Sequence, residues 1–228
     1  MLQLYIGNKN YSSWSLRPWL LMREAGIVFT EIPLRLDFGD GSAFRRALAD
    51  VGAAGRVPVL VDDGFAVWDS LAIAEYLAER FPAQKLWPAD PKQRARARSL
   101  CAEMHAGFAA LRHHLPMNIE ATIPHVAGRL LAEHADLRRD LDRMVVMWSE
   151  QLEQSGGPLL FGGFCIADAY FAPVCSRIAT YAVPVPEIVQ RYVDTVLALP
   201  AMRAWSEAAR AEHDFLAFDE PYRSAPAT

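Results

Sequence analysis

The amino-acid sequence predicts an α/β domain followed by an all-helical domain. Short apolar strands alternate with helical segments over the first eighty residues. A proline-containing stretch, residues 83–92, separates this part from a remainder whose apolar residues recur at helical spacing. With 228 residues, of which 52% are hydrophobic, the chain can bury a substantial core.

The first domain, residues 1–82, is predicted to contain four strands and three helices. Asp62-Asp63-Gly64 separates two apolar runs and is typical of a β-hairpin turn. The order β-α-β-α-β-β-α then predicts a mixed four-stranded sheet of the thioredoxin-like type. In chain order the segments are strand Leu2–Ile6, helix Leu16–Ala25, strand Val28–Leu36, helix Ser42–Ala49, strands Val59–Val61 and Phe65–Trp68, and helix Ser70–Arg80.

The second domain, residues 93–228, is predicted to be built from helices after a linker at residues 83–92. No segment in it has the alternation of a half-buried strand, and the sequence contains no internal repeat. The predicted helices are 94–115, 123–135, 137–154, 166–181, 187–199 and 201–210.

Composition and charge argue against several classes of partner. The formal net charge is −4, and no run of Lys or Arg resembles a nucleic-acid footprint. We expect no signal peptide and no membrane span, because no basic segment precedes a long apolar stretch. The scattered Cys101, Cys165 and Cys175 favour a reducing, cytoplasmic compartment over a disulfide framework.

No metal site is predicted. The spacing of the three cysteines fits no zinc motif. His113 and His114 are adjacent on a predicted helix, so they do not share a face, and no carboxylate partner is evident for them. We therefore expect both histidines to lie on the surface.

The turn after the first strand carries Tyr11, Ser12 and Ser13 and is the most informative segment. Ser15 is a good N-cap, and Pro18 fits best in the first turn of the helix, where the backbone N–H has no intrahelical partner. The two preceding serines would then face exposed N–H groups and the positive end of a helix dipole. Such a place holds an anion, for example a thiolate or a carboxylate.

Two further segments could converge on this turn. Pro58 restricts Val57 to extended geometry, and a cis bond between them would expose the Val57 backbone N–H and C=O. Asp69 and Ser70 lie at the N-terminus of the third helix, which can hold a carboxylate, while Asp69 can pair with an ammonium group. A ligand with an amino-acid head, an extended peptide backbone and a reactive end would match all three segments.

These segments resemble the N-terminal domain of cytosolic glutathione transferases. The matching residues are Tyr11-Ser12-Ser13, Arg56-Val57-Pro58-Val59-Leu60, and the run from Trp68 to Leu77. The helical remainder is similar through residues 164–169, which resemble the buried helix-capping motif of that family. The resemblance is nearest to the serine-type classes, zeta and theta among them. It implies the glutathione transferase fold, a homodimer, and glutathione as co-substrate without a metal.

The same resemblance assigns positions along glutathione. Val57 would hydrogen-bond the cysteinyl backbone beside a cis Pro58. Asp69 and Ser70 would hold the γ-glutamyl group, and Arg56 would lie near the glycyl end.

Cys165 stands where the family has Ser or Thr. Asp168 can still accept from the Cys165 backbone N–H, which is half of a capping box. We therefore expect a structural role for Asp168 and a buried, inert thiol at Cys165.

The family mechanism needs the glutathione thiolate, and a serine hydroxyl can stabilise it. A charge-assisted hydrogen bond contributes about 1.5–3 kcal/mol and a helix N-terminus about 0.3–1 kcal/mol, so together they would favour thiolate near neutral pH. Ser12 is the first choice for the donor and Ser13 the second. Other registers of the turn would place Tyr11, Asn10 or Ser15 at the sulfur, and Tyr11 is expected beside the substrate.

The electrophile should bind between the domains. Met104, Phe108 and Arg112 lie at i, i+4 spacing on one predicted helix, with His105 and Met117 nearby. An apolar pair with an arginine could receive a hydrophobic electrophile that carries a carboxylate. Ordinary packing of the same residues is an equally good interpretation.

Two other functions remain open. Zeta-class maleylacetoacetate isomerases carry out a glutathione-dependent cis–trans isomerisation, but they have a Ser-Ser-Cys turn where this chain has Ser12-Ser13-Trp14. A non-catalytic glutathione-binding partner or stress protein is the other alternative. Thiol–disulfide exchange is disfavoured, because no cysteine precedes Cys101.

Overall fold

The computed structural model describes residues 1–52 and 54–225. The first part contains strands β1 Leu2–Ile6, β2 Thr30–Pro33, β3 Val59–Asp62 and β4 Phe65–Val67, and helices α1 Ser13–Glu24, α2 Ala43–Asp50 and α3 Ser70–Arg80. The remainder contains helices α4 Pro91–Ala106, α5 Ala109–His114, α6 Pro124–Glu133, α7 Ala135–Ser155, α8 Ile166–Tyr181, α9 Glu187–Ala198 and α10 Pro200–Ala211. Short 3₁₀ turns span Pro82–Gln84 and Ala217–Asp219.

The four strands form one mixed sheet in the order β2-β1-β3-β4. β1 runs parallel to β2 and antiparallel to β3, with Leu4 opposite Leu60. The β3–β4 hairpin turns at Asp63 and Gly64, whose φ values of 46° and 89° suit an Asp-Gly turn. The predicted sheet and its hairpin are confirmed.

Different helices cover the two faces of the sheet. Leu4 and Leu60 face α1 and α3 in a core that continues into the helical part. Val59 and Val61 alternate to the other face and pack with Phe44 of α2. This layering leaves the end of β1 and the start of α1 at one edge of the sheet.

Helix α8 is the centre of the helical part. All of its residues except Ala179 are buried. It packs against α1, α4 and α9, so it joins the sheet domain to the helices. The turn between β1 and α1 therefore faces the helical part. Within the described ranges, no helix is long and apolar enough to cross a membrane.

The start of α1 differs from the prediction. Ser12, not Ser15, is the N-cap, and Pro18 lies inside the helix in its second turn. The Ser15 hydroxyl cannot cap the helix because it accepts hydrogen bonds from the Gly7 N–H and the Ser12 hydroxyl. The helix therefore begins three residues earlier than a cap at Ser15 would allow.

The predicted single helix 94–115 is wrong, because it is broken into α4 and α5. Phe108 takes a left-handed conformation with φ 54°, and a Cβ at Gly107 would lie 2.9 Å from the Glu103 carbonyl oxygen. The Arg112 guanidinium donates to the Met104 carbonyl 3.2 Å away and to the Gly107 carbonyl, which compensates the interrupted backbone bonds. The i, i+4 spacing of the predicted electrophile residues is therefore lost at the break.

Candidate active site

Two adjoining cavities form a cleft at the edge of the sheet. One has a volume of about 570 Å³ and the other of about 420 Å³. Trp14, Arg56 and Val57 line both cavities. These volumes are typical of small-molecule sites. The three segments predicted to converge all lie on the walls of this cleft.

The serine turn lines the smaller cavity. Ser12 and Ser13 are buried but contribute to its wall, together with Tyr11. The first i→i−4 backbone bond of α1 runs from Leu16 to the Ser12 carbonyl, 3.1 Å away, so the N–H groups of Trp14 and Ser15 precede the helical ladder. The turn therefore presents hydroxyls and a helix N-terminus to the cleft, as predicted.

The hydroxyls of Ser12 and Ser13 differ in their hydrogen-bond partners. The Ser12 hydroxyl donates to Ser15 Oγ at 2.7 Å, and Ser15 Oγ also accepts from the Gly7 N–H at 3.1 Å. In the part of the chain that the structure describes, the Ser13 hydroxyl has no hydrogen-bond partner. Its proton is free to meet an anion in the cleft, whereas the Ser12 proton is already engaged.

A buried cation lies beneath the turn. Arg17 donates to the Ser13 carbonyl at 3.1 Å and to the Tyr170 carbonyl at 3.0 Å. Its guanidinium lies 4.1 Å from the centre of the Trp14 ring. Burial lowers the pKa of Arg17 to about 10, so the side chain stays protonated at neutral pH. Its positive charge favours an anion at the serine turn.

The segment around Pro58 lies across the larger cavity. The Val57–Pro58 peptide bond is cis, as predicted. Val57 and Pro58 both line the cavity, and Arg56 stands beside them with an exposed side chain. The Val57 backbone therefore lies at the cavity wall, where an extended peptide could meet it.

A chain of polar contacts organises the start of α3. Asp69 is the N-cap and accepts from the Leu71 N–H at 2.8 Å. Its other oxygen lies 3.3 Å from His105 Nε2. His105 Nδ1 is 3.0 Å from the Tyr170 hydroxyl, which is 2.9 Å from Ser70 Oγ. Through His105 of α4 and Tyr170 of α8, this network holds Asp69 and Ser70 in place. These are the two residues predicted to bind the γ-glutamyl group.

The smaller cavity has apolar and cationic walls. Arg112 and Arg177 line it, and burial lowers the pKa of both, that of Arg177 to about 9. Asp219 is the one acidic residue among its described lining residues, and burial raises its pKa. The apolar wall is formed by Leu36, Phe38, Phe44, Pro116 and Met117. This arrangement suits a hydrophobic ligand with a carboxylate.

The structure does not bring two of the predicted electrophile contacts to the described cavities. Met104 is fully buried in the core, and Phe108, at the break between α4 and α5, is also buried. Neither side chain lines either described cavity. Arg112 lines the smaller cavity, as predicted.

Tyr11 contributes its ring rather than its hydroxyl to the cleft. The hydroxyl donates to Glu220 at 2.7 Å and accepts from the Leu216 N–H at 3.3 Å. Burial, strengthened by the Glu220 hydrogen bond, raises the pKa of Tyr11 to about 12. The hydroxyl is therefore held by the C-terminal segment, residues 212–225, and does not reach an anion in the cleft.

The cysteines lie outside the cleft. Cys101, Cys165 and Cys175 are buried, and burial raises the pKa of all three thiols. Asp168 accepts from the Cys165 N–H at 3.0 Å, which agrees with the predicted half capping box. None of the three thiols is in a position to react in the cleft.

Sequence reasoning missed Arg177, Tyr170 and Trp14. Arg177 is an arginine inside a mostly apolar helix, which is an unusual position and a usable signal. Tyr170 and Trp14 carry no such signal, because aromatic residues most often fill cores. Their roles depend on how α8 and α1 pack together.

Comparison with known proteins agrees with this geometry. Residues 11–80 match the family model described as glutathione S-transferase, N-terminal domain. The first domain of this chain is therefore similar to the N-terminal domain of glutathione transferases. Over most of its length the chain is also similar to a maleylacetoacetate isomerase from Pseudomonas aeruginosa. The two are 28% identical over 212 residues, which cover 89% of this chain and 94% of the relative.

Solved structures of the family have the same architecture. A glutathione transferase homolog from Burkholderia, with bound glutathione, is 26% identical with a TM-score of 0.68. A glutathione transferase from Methylococcus capsulatus is 25% identical with a TM-score of 0.64. Each alignment covers 92% of this chain and 98% of the other. The predicted glutathione transferase fold is confirmed.

Proposed function

We propose that this chain is a glutathione transferase that activates the glutathione thiol as thiolate for attack on a small hydrophobic electrophile. The observation that carries the proposal is the convergence of three segments on one cleft. The serine turn, the Val57 backbone and the Asp69–Ser70 helix start all face it. Glutathione offers one matching group to each: a thiol, an extended peptide backbone and an amino-acid head.

The larger cavity takes the peptide body of glutathione. Asp69 pairs with the γ-glutamyl ammonium, while Ser70 and the N–H groups of α3 hold the γ-glutamyl carboxylate. The Val57 backbone binds the cysteinyl unit, and Arg56 lies near the glycyl carboxylate. The thiol then reaches the serine turn, which lines the neighbouring cavity.

The serine turn stabilises the thiolate. Ser13 donates its free hydroxyl proton to the sulfur, while Ser12 holds the turn through its bond to Ser15. The thiol proton leaves to solvent, the sulfur forms a bond to the electrophilic carbon, and the leaving group departs with its electron pair. Serine is a hydrogen-bond donor in this scheme and forms no covalent bond.

The electrophile occupies the smaller cavity. Arg112 and Arg177 favour a substrate that carries a carboxylate, and the apolar wall favours a hydrophobic body. Their buried guanidinium groups also favour the thiolate by charge.

The cationic cavity favours a second candidate, glutathione-dependent cis–trans isomerisation of a carboxylated alkene. The thiolate would add to the double bond, the new single bond would rotate, and elimination would return the thiolate. The maleylacetoacetate isomerase relative supports this alternative. The two reactions differ in product, since transfer consumes glutathione and isomerisation regenerates it.

A homodimer is part of the proposal. Phe65 on β4 and Trp68 just after this strand are 64% and 45% exposed in the single chain. Exposed aromatic residues of this kind are typical of an interface. Light scattering during size-exclusion chromatography should give twice the mass of one chain, and a monomer mass would contradict the dimer.

Calorimetric titration with glutathione tests the binding step. Wild type should bind one glutathione per chain, and Asp69→Asn should weaken binding by about tenfold because it removes a charged hydrogen-bond acceptor. Asp194→Asn, on the exposed face of α9, is the matched control and should bind like wild type. Absence of saturable binding by wild type would contradict the proposal.

Product analysis then separates the reactions. A halogenated nitroarene reports transfer, and a cis-alkenoic diacid reports isomerisation with glutathione unchanged. Binding without turnover of either substrate would instead favour a non-catalytic partner protein.

A further inference from the structure

A cluster of two imidazoles and a carboxylate lies outside the cleft. His114 ends α5, His134 joins α6 to α7, and Asp136 lies in the first turn of α7. The rings of His114 and His134 stack with their centres 3.8 Å apart. His114 Nε2 is 4.0 Å from Asp136 Oδ2, and one ligand atom from each of the three residues lies within 4.8 Å of the others.

The backbone around the cluster is held in place. The Tyr222 hydroxyl donates to the His114 carbonyl at 2.7 Å. The His134 N–H donates to the Leu130 carbonyl at 2.9 Å, and Asp136 Oδ1 accepts from the Leu137 N–H at 3.0 Å. The second carboxylate oxygen of Asp136 is the one that lies 4.0 Å from His114 Nε2.

The cluster combines the ligand types that divalent metals bind. Imidazoles bind a metal in their neutral form and carboxylates in their ionised form. His114, His134 and Asp136 supply two imidazole nitrogens and one carboxylate.

We propose that His114, His134 and Asp136 bind a divalent first-row metal ion of the Zn²⁺ type. Two imidazole nitrogens and one carboxylate oxygen are ligands that Zn²⁺ accepts, and a water would complete a tetrahedral site. A tetrahedral ion with bonds of about 2.0–2.1 Å holds its ligand atoms about 3.3 Å apart. The three ligand atoms, now within 4.8 Å of one another, reach this spacing when the side chains rotate, the stacked imidazole rings included.

The metal site is separate from the proposed glutathione site. None of its three side chains lines either cavity of the cleft. Metal binding can therefore be measured without an activity assay. A result that contradicts the metal site would leave the proposed glutathione site untouched, and the reverse also holds.

Zn²⁺ titration by calorimetry tests the proposal. The full-length chain carries no affinity tag, is first stripped with a chelator, and is titrated with Zn²⁺ alone. Wild type should bind one ion per chain, His134→Ala should lose saturable binding, and Asp136→Asn should bind more weakly. His125→Ala is the matched control, because this exposed histidine lies outside the cluster, and it should bind like wild type.

Two further readouts identify the ligands. Zn²⁺ should raise the melting temperature of wild type but not that of His134→Ala, because a ligand stabilises only a state that binds it. Bound Co²⁺ should give the visible absorption of a tetrahedral ion without a thiolate charge-transfer band. Absence of saturable Zn²⁺ binding by wild type, unchanged binding in both cluster variants, or a thiolate band would overturn the proposal.

Discussion

At the scale of single residues, hydroxyl groups with different partners organise the cleft. Ser12 and Ser15 bond to each other, Ser70 bonds to Tyr170, and Ser13 is free among the described residues. A hydroxyl that is already donating cannot give the same proton to a ligand. The sequence favours Ser12 as the donor to sulfur, but the hydrogen bonds of the folded chain favour Ser13.

Tyr170 should act on glutathione binding through Ser70. Tyr170→Phe removes the hydroxyl that joins Ser70 to His105, so the γ-glutamyl contacts lose their orientation. We expect the KM for glutathione to rise about five- to tenfold, equivalent to about 1 kcal/mol, with little change in kcat. Tyr76→Phe is the control, because its hydroxyl donates to Asp62 on β3. An equal effect of the two variants on the KM would contradict the role of Tyr170.

Gly7 should be needed for the position of the serine turn. A Cβ at this residue would lie 2.6 Å from Leu36 Cδ2 and 3.2 Å from Ser12 Cβ. Gly7→Ala should therefore displace the turn, lower the free energy of unfolding by about 1–3 kcal/mol and reduce activity. Gly128→Ala, in the open middle of α6, should be neutral or stabilising. Denaturant unfolding compares the variants, and an unchanged midpoint for Gly7→Ala would contradict this account.

At the scale of elements, the start of α8 depends on a buried carboxylate. Asp168 accepts from the Cys165 N–H at 3.0 Å and from the Leu160 N–H at 3.2 Å. Burial raises the pKa of Asp168 to about 6, despite these two hydrogen bonds. The folded chain thus binds the Asp168 proton more tightly than the unfolded chain does.

This pKa difference sets the sign of a pH effect. The stability that Asp168 contributes is fully present below its unfolded pKa of about 3.9 and falls as pH rises through about 6, by about 3 kcal/mol in total. The difference in unfolding free energy between wild type and Asp168→Asn should therefore shrink from pH 4 to 6.5 and stay level above. Urea unfolding across this pH range measures the difference. A constant or growing difference would show that Asp168 is not the titrating group.

Helix interiors could be predicted from the sequence, but helix ends could not. The strands, the hairpin and α3 follow from apolar spacing and turn residues. The break between α4 and α5 does not, because it depends on the approach of Gly107 to the Glu103 carbonyl and on Arg112 bonding back to α4. This break removes Met104 and Phe108 from the predicted electrophile site.

At the scale of the whole molecule, the C-terminal segment packs back onto the serine turn. Glu212 accepts from the Lys9 N–H at 2.7 Å and from the Asn10 N–H at 3.3 Å. Asp214 bonds to Asn8, and Asp219 reaches the smaller cavity. The cleft is therefore built from both ends of the chain.

Glu212→Gln should weaken the contact between the C-terminal segment and the serine turn. An amide can accept only one of the two backbone N–H groups and opposes the other with its own N–H, so we expect a loss of about 1–3 kcal/mol of stability. Amide hydrogen exchange should become faster at residues 8–13. Glu207→Gln, at an exposed position on α10, is the control. Equal exchange rates in the two variants would contradict the role of Glu212.

The convergence of the three segments proposed to bind glutathione could be predicted, because each has its own local signature. Residues 212–225 have no signature of this kind, and the contacts of Glu212 and Glu220 with residues 9–11 span more than two hundred positions in sequence. The same limit applies to His114, which meets Asp136 only after α6 and α7 have packed. Contacts between distant segments are set by tertiary packing rather than by local pattern.

The pKa of the bound glutathione thiol tests the central claim most directly. Ultraviolet absorbance of the thiolate, recorded against pH in the glutathione complex, gives this value for wild type, Ser12→Ala and Ser13→Ala. The wild-type value should lie well below that of a free thiol, and Ser13→Ala should raise it by about 1–2 units, more than Ser12→Ala does. An equal thiol pKa in wild type and Ser13→Ala, with glutathione bound to both, would contradict the account.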